Sequence, residues 1–209
     1  MGERSAHWDG VYREKTADGM SWHQPRPEPS LSLLTEALPD PRSRIVDVGG
    51  GTSLLVDGLL ERGYRRPAVL DVSAVALERA RERLGTRADE VEWIHGDVTR
   101  WRPEGIWDGW HDRAVLHFLV DEEERERYRS VLDRATHPDS VAVIATFGPE
   151  GPTRCSGLPC RRCSVAEIEE WLGDRWRLEK SALVEHRTPW ESPQQFLFCT
   201  LRKPGEAPA

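Results

Sequence analysis

The stretch Ile45-Val46-Asp47-Val48-Gly49-Gly50-Gly51-Thr52-Ser53, followed by Val69-Leu70-Asp71, decides how this chain folds. Ile45 to Val48 predicts a short buried strand, and the glycines then turn the chain into a helix over about 53–62. Gly49 and Gly51 lack the Cβ atoms that would hold a bulky ligand off the backbone. The free N–H groups at the start of the helix point at whatever fills the turn. Asp71 stands 20 residues past Gly51, at the end of the next apolar run, where a carboxylate can grip both hydroxyls of a ribose. This pattern predicts an adenosine-type ligand.

The turn also discriminates between such ligands. A dinucleotide site needs a small residue three positions after its second glycine, so that the helix packs close under a pyrophosphate. That position is Leu54, and Asp47 would repel a diphosphate while suiting a ligand that carries an ammonium group. Asp47-x-Gly49-x-Gly51 resembles the first motif of the class I S-adenosylmethionine-dependent methyltransferases, with Ser53 where that family often has a third glycine. The resemblance implies an α/β, Rossmann-like fold: a mostly parallel seven-stranded sheet with helices on both faces and an antiparallel end. It implies S-adenosyl-L-methionine as cofactor, held at Asp47, Gly49, Gly51, Asp71 and Val72. His95-Gly96-Asp97-Val98 matches by position the segment in which that family places an acid against the adenine amino group and an apolar residue against the ring, here Asp97 and Val98. The bland alternative is a tight strand-to-helix turn with no ligand.

Periodicity carries the same pattern along the chain. Strands are predicted at 45–48, 67–71, 91–95, 106–111 and 141–147, separated by helices at 53–62, 74–84 and 121–135. Asp121 is placed to cap the last of these, whose Glu123 and Arg127 are spaced to pair on a solvated face. A Gly/Pro/Cys-rich loop at 148–163 precedes a helix at 165–172 and two late strands near 175–184 and 194–202. Upstream lie an amphipathic helix from Trp8 to Lys15, a proline-stiffened segment from Ser21 to Pro29 and a helix at 30–38. The expected organisation is one domain over 1–209: N-terminal helices and lid at 1–40, a core at 41–203, and a frayed tail from Lys203 to Ala209.

With 29 basic and 36 acidic residues, the net charge is −7, and no basic stripe exists to track phosphates; a nucleic-acid partner is not expected. Neither a membrane-spanning run nor an apolar leader is evident, so the expectation is a cytoplasmic protein, monomer or homodimer, with no membrane partner. The four cysteines are read as reduced thiols, with Cys199 in the core. Cys155-x4-Cys160-x2-Cys163 has three ligands at irregular spacing, short of the four that a structural zinc needs, and no metal is expected.

The acceptor side is read from Trp110-His111-Asp112-Arg113-Ala114-Val115-Leu116-His117-Phe118, at the end of the fourth strand, where open parallel sheets bind ligands. Arg113 is a candidate to steer an anionic acceptor, and His111 and Asp112 to orient or deprotonate it. His117 and Cys155 are candidate substrate contacts, and Trp22 and His23 a candidate lid over the cofactor. Each has a structural alternative: the histidines as hydrogen-bonded core residues, Trp22 as a cap on the core, and Arg113 paired with Asp112 or a loop carbonyl. The Trp8-x3-Tyr12-x2-Lys15 opening, Trp22-His23-Gln24 and the Trp110–Ala114 segment resemble the thiopurine S-methyltransferases and their tellurite- and halide-methylating relatives. That likeness implies a small-molecule acceptor with a thiol or other soft nucleophile. Trp8-Asp9, the glycine motif and Asp112-Arg113 also resemble the enzymes that methylate lysines of translation factors, which implies a protein acceptor. A third possibility is a module that binds the cofactor without catalysis.

Overall fold

A computed structural model describes residues 2–205. Strands β1 (Ile45–Val48), β2 (Ala68–Asp71), β3 (Glu92–His95), β4 (Trp107–Arg113) and β5 (Thr136–Phe147) run parallel. A two-residue hairpin, β6 (Arg154–Cys155) and β7 (Leu158–Pro159), stands apart from them. The late strands β8 (Arg177–Arg187) and β9 (Pro193–Arg202) complete a seven-stranded sheet of order β3-β2-β1-β4-β5-β9-β8, with β9 antiparallel to both neighbours. Every residue of β1 and β2 is buried, as strands covered on both faces must be.

The helices are α1 (Glu3–Glu14), α2 (Ser30–Ala37), α3 (Leu55–Glu61), α4 (Ala74–Leu84), α5 (Glu122–Ala135) and α6 (Val165–Leu172). Strand alternation splits the core into two layers. Val46, Val48 and Trp110 pack with Tyr128 and Leu132 of α5, whereas Ile45, Val143 and Phe147 pack with Leu31 and Leu34 of α2 and Leu59 of α3. Local chemistry fixes the helix starts. Asp121 accepts the Glu123 and Glu124 amides at 2.9 and 3.1 Å, and Ser164 forms a reciprocal capping box with Glu167. Ser73 caps α4 by accepting the Ala76 amide and also donates to Asp9 of α1 at 2.6 Å, tying the first helix to the start of α4.

Four features differ from the sequence reading. Helix α3 begins at Leu55 because Ser53 closes the turn first: its amide donates to the Gly50 carbonyl at 2.7 Å and its hydroxyl accepts the Leu55 amide at 3.1 Å. Helix α1 starts at Glu3, well before Trp8. The loop at 148–163 contains the β6–β7 hairpin. Lys203, placed in the tail by sequence, is anchored instead, its ammonium donating to the Asp133 and Thr136 carbonyls at 2.7 and 3.0 Å where α5 ends; residues 206–209 of that tail lie outside the described residues. Among the described residues no helix is long and apolar enough to cross a membrane.

One buried carboxylate organises the end of β4. Asp112 is fully buried and accepts the Val115 amide at 2.9 Å, the Leu116 amide at 3.2 Å and the Tyr128 hydroxyl at 2.7 Å; that hydroxyl in turn accepts Trp110 Nε1–H at 2.9 Å. Asp112→Ala strands two amides and a hydroxyl, and we predict a loss of about 3 kcal/mol in urea unfolding, against about 1 kcal/mol for Tyr128→Phe. Equal losses for the two variants would show that the amides are satisfied without the carboxylate.

Candidate active site

The carboxyl ends of β1, β2, β3, β4 and β5 share one edge of the sheet, and over it lies a cavity of about 520 Å³. Its size falls within the range of roughly 300–1,000 Å³ usual for small-ligand sites. One side is built from Gly49 after β1, Asp71 and Val72 at β2, and Asp97 and Val98 after β3. The other side is built from Arg113 and Ala114 at the end of β4, His117 and Phe118 beyond it, Phe147 from β5 and Phe196 from β9. Cys155 of the β6–β7 hairpin and Trp22 of the proline segment also line it, while α1 contributes Arg4, Trp8 and Tyr12.

On the first side, Asp71 is buried, and its Oδ1 accepts the Ser73 amide at 2.7 Å. Burial pushes this carboxyl up to about 7, against the pull of the Ser73 amide, and the neighbouring Asp47 adds to the rise. Asp97 behaves oppositely: burial would raise it, but the Thr99 hydroxyl and amide and the Arg4 guanidinium hold it below its ordinary value. Arg4 Nη1 lies 2.9 Å from Asp97 Oδ2, and its Nη2 donates to Glu124 at 2.6 Å, so α1 is clamped across this end of the cavity.

The glycine turn differs from the simplest reading of its sequence. A Cβ on Gly49, at φ +67°, would sit 2.0 Å from Val115 Cγ2, and one on Gly51, at φ +48°, would sit 2.3 Å from the Tyr12 hydroxyl. Protein side chains therefore occupy the space those absent Cβ atoms leave, in addition to any ligand at Gly49, and Gly51 does not line the cavity. Asp47 is also behind the turn. Its Oδ1 accepts His111 Nδ1–H at 2.7 Å, and its Oδ2 is buried with no partner, at the place a Cβ on Gly50 would reach within 2.6 Å.

The sequence candidates at β4 separate. His111 is buried in a chain that continues from Nε2 to the Ser30 hydroxyl of α2 at 2.8 Å, and neither His111 nor Asp112 lines the cavity. Asp112 holds the backbone of the turn that follows β4, whereas His111 holds the side chains of Asp47 and Ser30. Arg113 does line it: Nη1 donates to the Trp22 carbonyl at 2.8 Å, the guanidinium lies 4.8 Å from the Phe196 ring centroid, and Nε and Nη2 are buried without partners. Burial lowers this guanidinium to about 10, and nearby Asp47 opposes that shift. Ala114, at φ +78°, takes a left-handed conformation rare for a residue with a Cβ, held by its amide's 2.9 Å bond to the Ala145 carbonyl and by the Asp112 clamp on the next two residues.

His117 stacks on Phe147 with ring centroids 4.1 Å apart and planes 9° apart, and neither of its ring nitrogens has a partner. Burial, with the Arg113 charge adding, lowers it to about 3, so the ring is neutral. Cys155 Sγ lies 3.7 Å from the Ser21 hydroxyl. Cys160 and Cys163 pack into opposite core layers, and among the described residues no group of three or more His, Cys, Asp or Glu side chains is placed to hold a metal ion. Trp22 faces the cavity, whereas His23 lines only a small crevice against Thr52 and Ser53. The Trp22 segment is pinned from the sheet side, by Arg113 on one carbonyl and by His186 Nε2 on the Ser21 carbonyl at 2.7 Å.

Sequence reasoning missed Arg4, Phe147 and Phe196 as cavity residues. Phe196 enters only because antiparallel β9 pairs it with Phe147, a register that the linear sequence does not display. Arg4 stands in no motif; its partner Asp97 is 93 residues away.

Residues 45–139 match the family model described as a methyltransferase domain. Among curated proteins, the chain is similar to the eEF1A lysine and N-terminal methyltransferases of Mus musculus and Homo sapiens, at 22% identity over 126 residues. The match takes in 60% of this chain but spans only 18% of the length of those relatives. Among solved structures, it resembles the Burkholderia thailandensis 1,6-didemethyltoxoflavin N1-methyltransferase with bound 1,6-didemethyltoxoflavin and S-adenosylhomocysteine (TM-score 0.75, 22% identity, 97% of this chain and 90% of that one). It also resembles the N-methyltransferase NodS of Bradyrhizobium japonicum in complex with S-adenosylhomocysteine (TM-score 0.67, 18% identity, 85% and 87%). Over residues 45–139 the chain thus matches a methyltransferase domain, and its fold is that of solved class I S-adenosylmethionine-dependent methyltransferases. S-adenosyl-L-methionine is the methyl donor of that class.

The donor set fits that cofactor. Buried carboxylates at Asp71 and Asp47 around a glycine turn suit ribose hydroxyls and an ammonium and disfavour a diphosphate, and Asp97 with Val98 closes the same cavity beyond β3. Ribose hydroxyls that donate to Asp71 favour its charged form, so its carboxyl titrates lower in the complex than in the free protein. The free group sits at about 7, so affinity for S-adenosylhomocysteine is predicted to fall as pH drops from 8 to 6, by up to about tenfold per unit below the free value. Calorimetry across that range checks this, with Asp71→Asn expected to bind more weakly and to flatten the profile.

Proposed function

We propose that the protein transfers the methyl group of S-adenosyl-L-methionine to a small-molecule acceptor, a thiol or other soft nucleophile, inside the cavity at the carboxyl edge of its sheet. The observation that carries this reading is the joining of an adenosine-type side, with Asp71 and Asp97, to an aromatic side, with Phe118, Phe147 and Phe196, in one space. When bound, the cofactor supplies an electrophilic methyl on a sulfonium. Asp71 and Val72 hold its ribose, Asp97 and Val98 its adenine, and Gly49 its amino-acid end, with the Asp47 charge behind the turn favouring the ammonium. Tyr12 and Trp22 cover that end.

In-line displacement asks the protein for alignment and exclusion of water. The α1 clamp at Asp97 and the pinned Trp22 segment provide the second, and the rigid turn after β4 provides the first. Arg113 steers the acceptor and Cys155 contacts it. Asp112 positions the turn and His111 orients Asp47, neither touching substrate.

The curated relatives favour a second reading, in which the acceptor is a protein lysine. Against it, the aromatic side of the cavity presents a guanidinium and no carboxylate, whereas a lysine acceptor needs a base to remove its proton.

Calorimetry with S-adenosylhomocysteine is expected to show micromolar affinity, about −8 kcal/mol. Incubation of a cell extract with methyl-labelled cofactor is expected to put label into small molecules. Label confined to protein bands would favour the lysine reading, and tight binding without turnover would favour a binding module. Arg113→Ala is predicted to lower kcat/KM for the acceptor by about 100-fold while changing cofactor affinity about twofold or less.

A further inference from the structure

Resting on that methyltransferase reading, we propose that the acceptor is a planar aromatic molecule bound as its anion, with Arg113 holding the charge and Phe118, Phe147, Phe196 and Trp22 forming the walls that select a flat ring.

Arg113 has no counter-ion in direct contact: among the described residues it makes no salt bridge, its one hydrogen-bond partner is the neutral Trp22 carbonyl, and the nearby Asp47 acts on it only at a distance from behind the glycine turn. A desolvated charge left in that state is costly unless something of opposite sign completes it. The carboxylates that line the cavity, Glu3, Asp71, Asp97 and Glu124, come from α1, the ends of β2 and β3, and α5, and the last two are engaged by Arg4. The aromatic side therefore presents a positive charge to the cavity and no carboxylate of its own, Asp47 lying behind the turn. A cationic acceptor is repelled there, and an anionic one is attracted.

The shape of that side favours a flat ring. The Arg113 guanidinium lies over Phe196, His117 lies parallel on Phe147, and Trp22 stands edge-on to Trp8 at 5.8 Å between centroids. Aromatic walls of this kind gain most from a planar partner.

Proton chemistry agrees. His117, neutral because burial lowers it to about 3, is too weak a base to strip an amine, and Tyr12 is pushed well above its ordinary value by burial and by Asp71. An acceptor that arrives ionised needs no base. Its lone pair forms the new bond to the methyl carbon as the carbon–sulfur bond breaks with its electron pair going to sulfur. An anion and a sulfonium thus give a neutral methylated product and a neutral thioether, with no proton left to place.

The cofactor's own carboxylate is a second source of negative charge for Arg113, and the test separates the two. Protein saturated with S-adenosylhomocysteine is titrated with 4-nitrophenolate and with its uncharged analogue nitrobenzene, following tryptophan fluorescence and heat. The expected result is at least about tenfold tighter binding of the phenolate. In Arg113→Met that preference is expected to vanish while S-adenosylhomocysteine affinity stays within about twofold. Equal binding of the two probes, or binding of neither, with S-adenosylhomocysteine bound normally, overturns the anionic acceptor and leaves the methyltransferase reading standing. So does an Arg113→Met protein that loses S-adenosylhomocysteine affinity but keeps the phenolate preference, since the guanidinium then serves the cofactor. Failure of the wild-type protein to bind S-adenosylhomocysteine overturns both. The wild-type comparison decides the charge by itself, so a variant that does not fold leaves the outcome readable.

Discussion

The Asp112 carboxylate is the interaction on which the site depends. It is wholly buried, and burial pushes it up to about 6, although the Tyr128 hydroxyl and the Val115 and Leu116 amides draw it back toward its charged form. Those three donors lie on two different elements, the turn after β4 and helix α5. One side chain therefore fixes how the chain leaves the sheet and where the covering helix sits. The turn it holds includes Ala114 in a left-handed conformation and sets Val115 against Gly49. The positions of the glycine turn and of Arg113 both follow from that bend.

A well-satisfied frame surrounds unsatisfied groups at its edge. The frame has a reciprocal cap on α6, side-chain caps on α4 and α5, a lysine closing the end of α5 and a tyrosine–tryptophan–aspartate network in the core. The cavity wall holds a raised carboxyl at Asp71, a guanidinium with two idle nitrogens at Arg113 and a neutral histidine with both nitrogens free at His117. Such groups oppose folding in the absence of a ligand. Unpartnered polar atoms also occur away from the cavity, at Arg125, Arg129 and Trp171 among others, but only those at the cavity wall are placed to be completed by a ligand there.

How much of this was legible in the sequence follows from the range of each interaction. Strands β1 to β5 and their helices could be read because period and capping are local: Ser73, Asp121 and Ser164 announce α4, α5 and α6 within three residues. The side of the cavity lined by Gly49, Asp71 and Asp97 could be read because each stands at, or within two residues of, a strand end. The acceptor side was readable only in part, since its walls come from β4, β5, β9, the β6–β7 hairpin and the segment before α2. Arg113 was found from its place after a strand. Phe147 and Phe196 could not be, because a phenylalanine on a strand looks the same whether it faces a core or a cavity.

His111 shows why residue type alone misleads. A histidine beside an aspartate, at the carboxyl end of a parallel strand, has the composition of a catalytic base. Position along the strand decides otherwise: Arg113, two residues on and on the same face, stands at the end of β4 and reaches the cavity, while His111 is covered by α2. There it joins α2, β4 and β1 through Ser30 and Asp47 and leaves one Asp47 oxygen free beneath the glycine turn. A hydrogen-bonded histidine fixes that carboxylate's orientation where a solvated one would rotate, so the turn sits above a carboxylate oxygen held in place. His111 thus orients the Asp47 carboxylate beneath the glycine turn from a position outside the cavity.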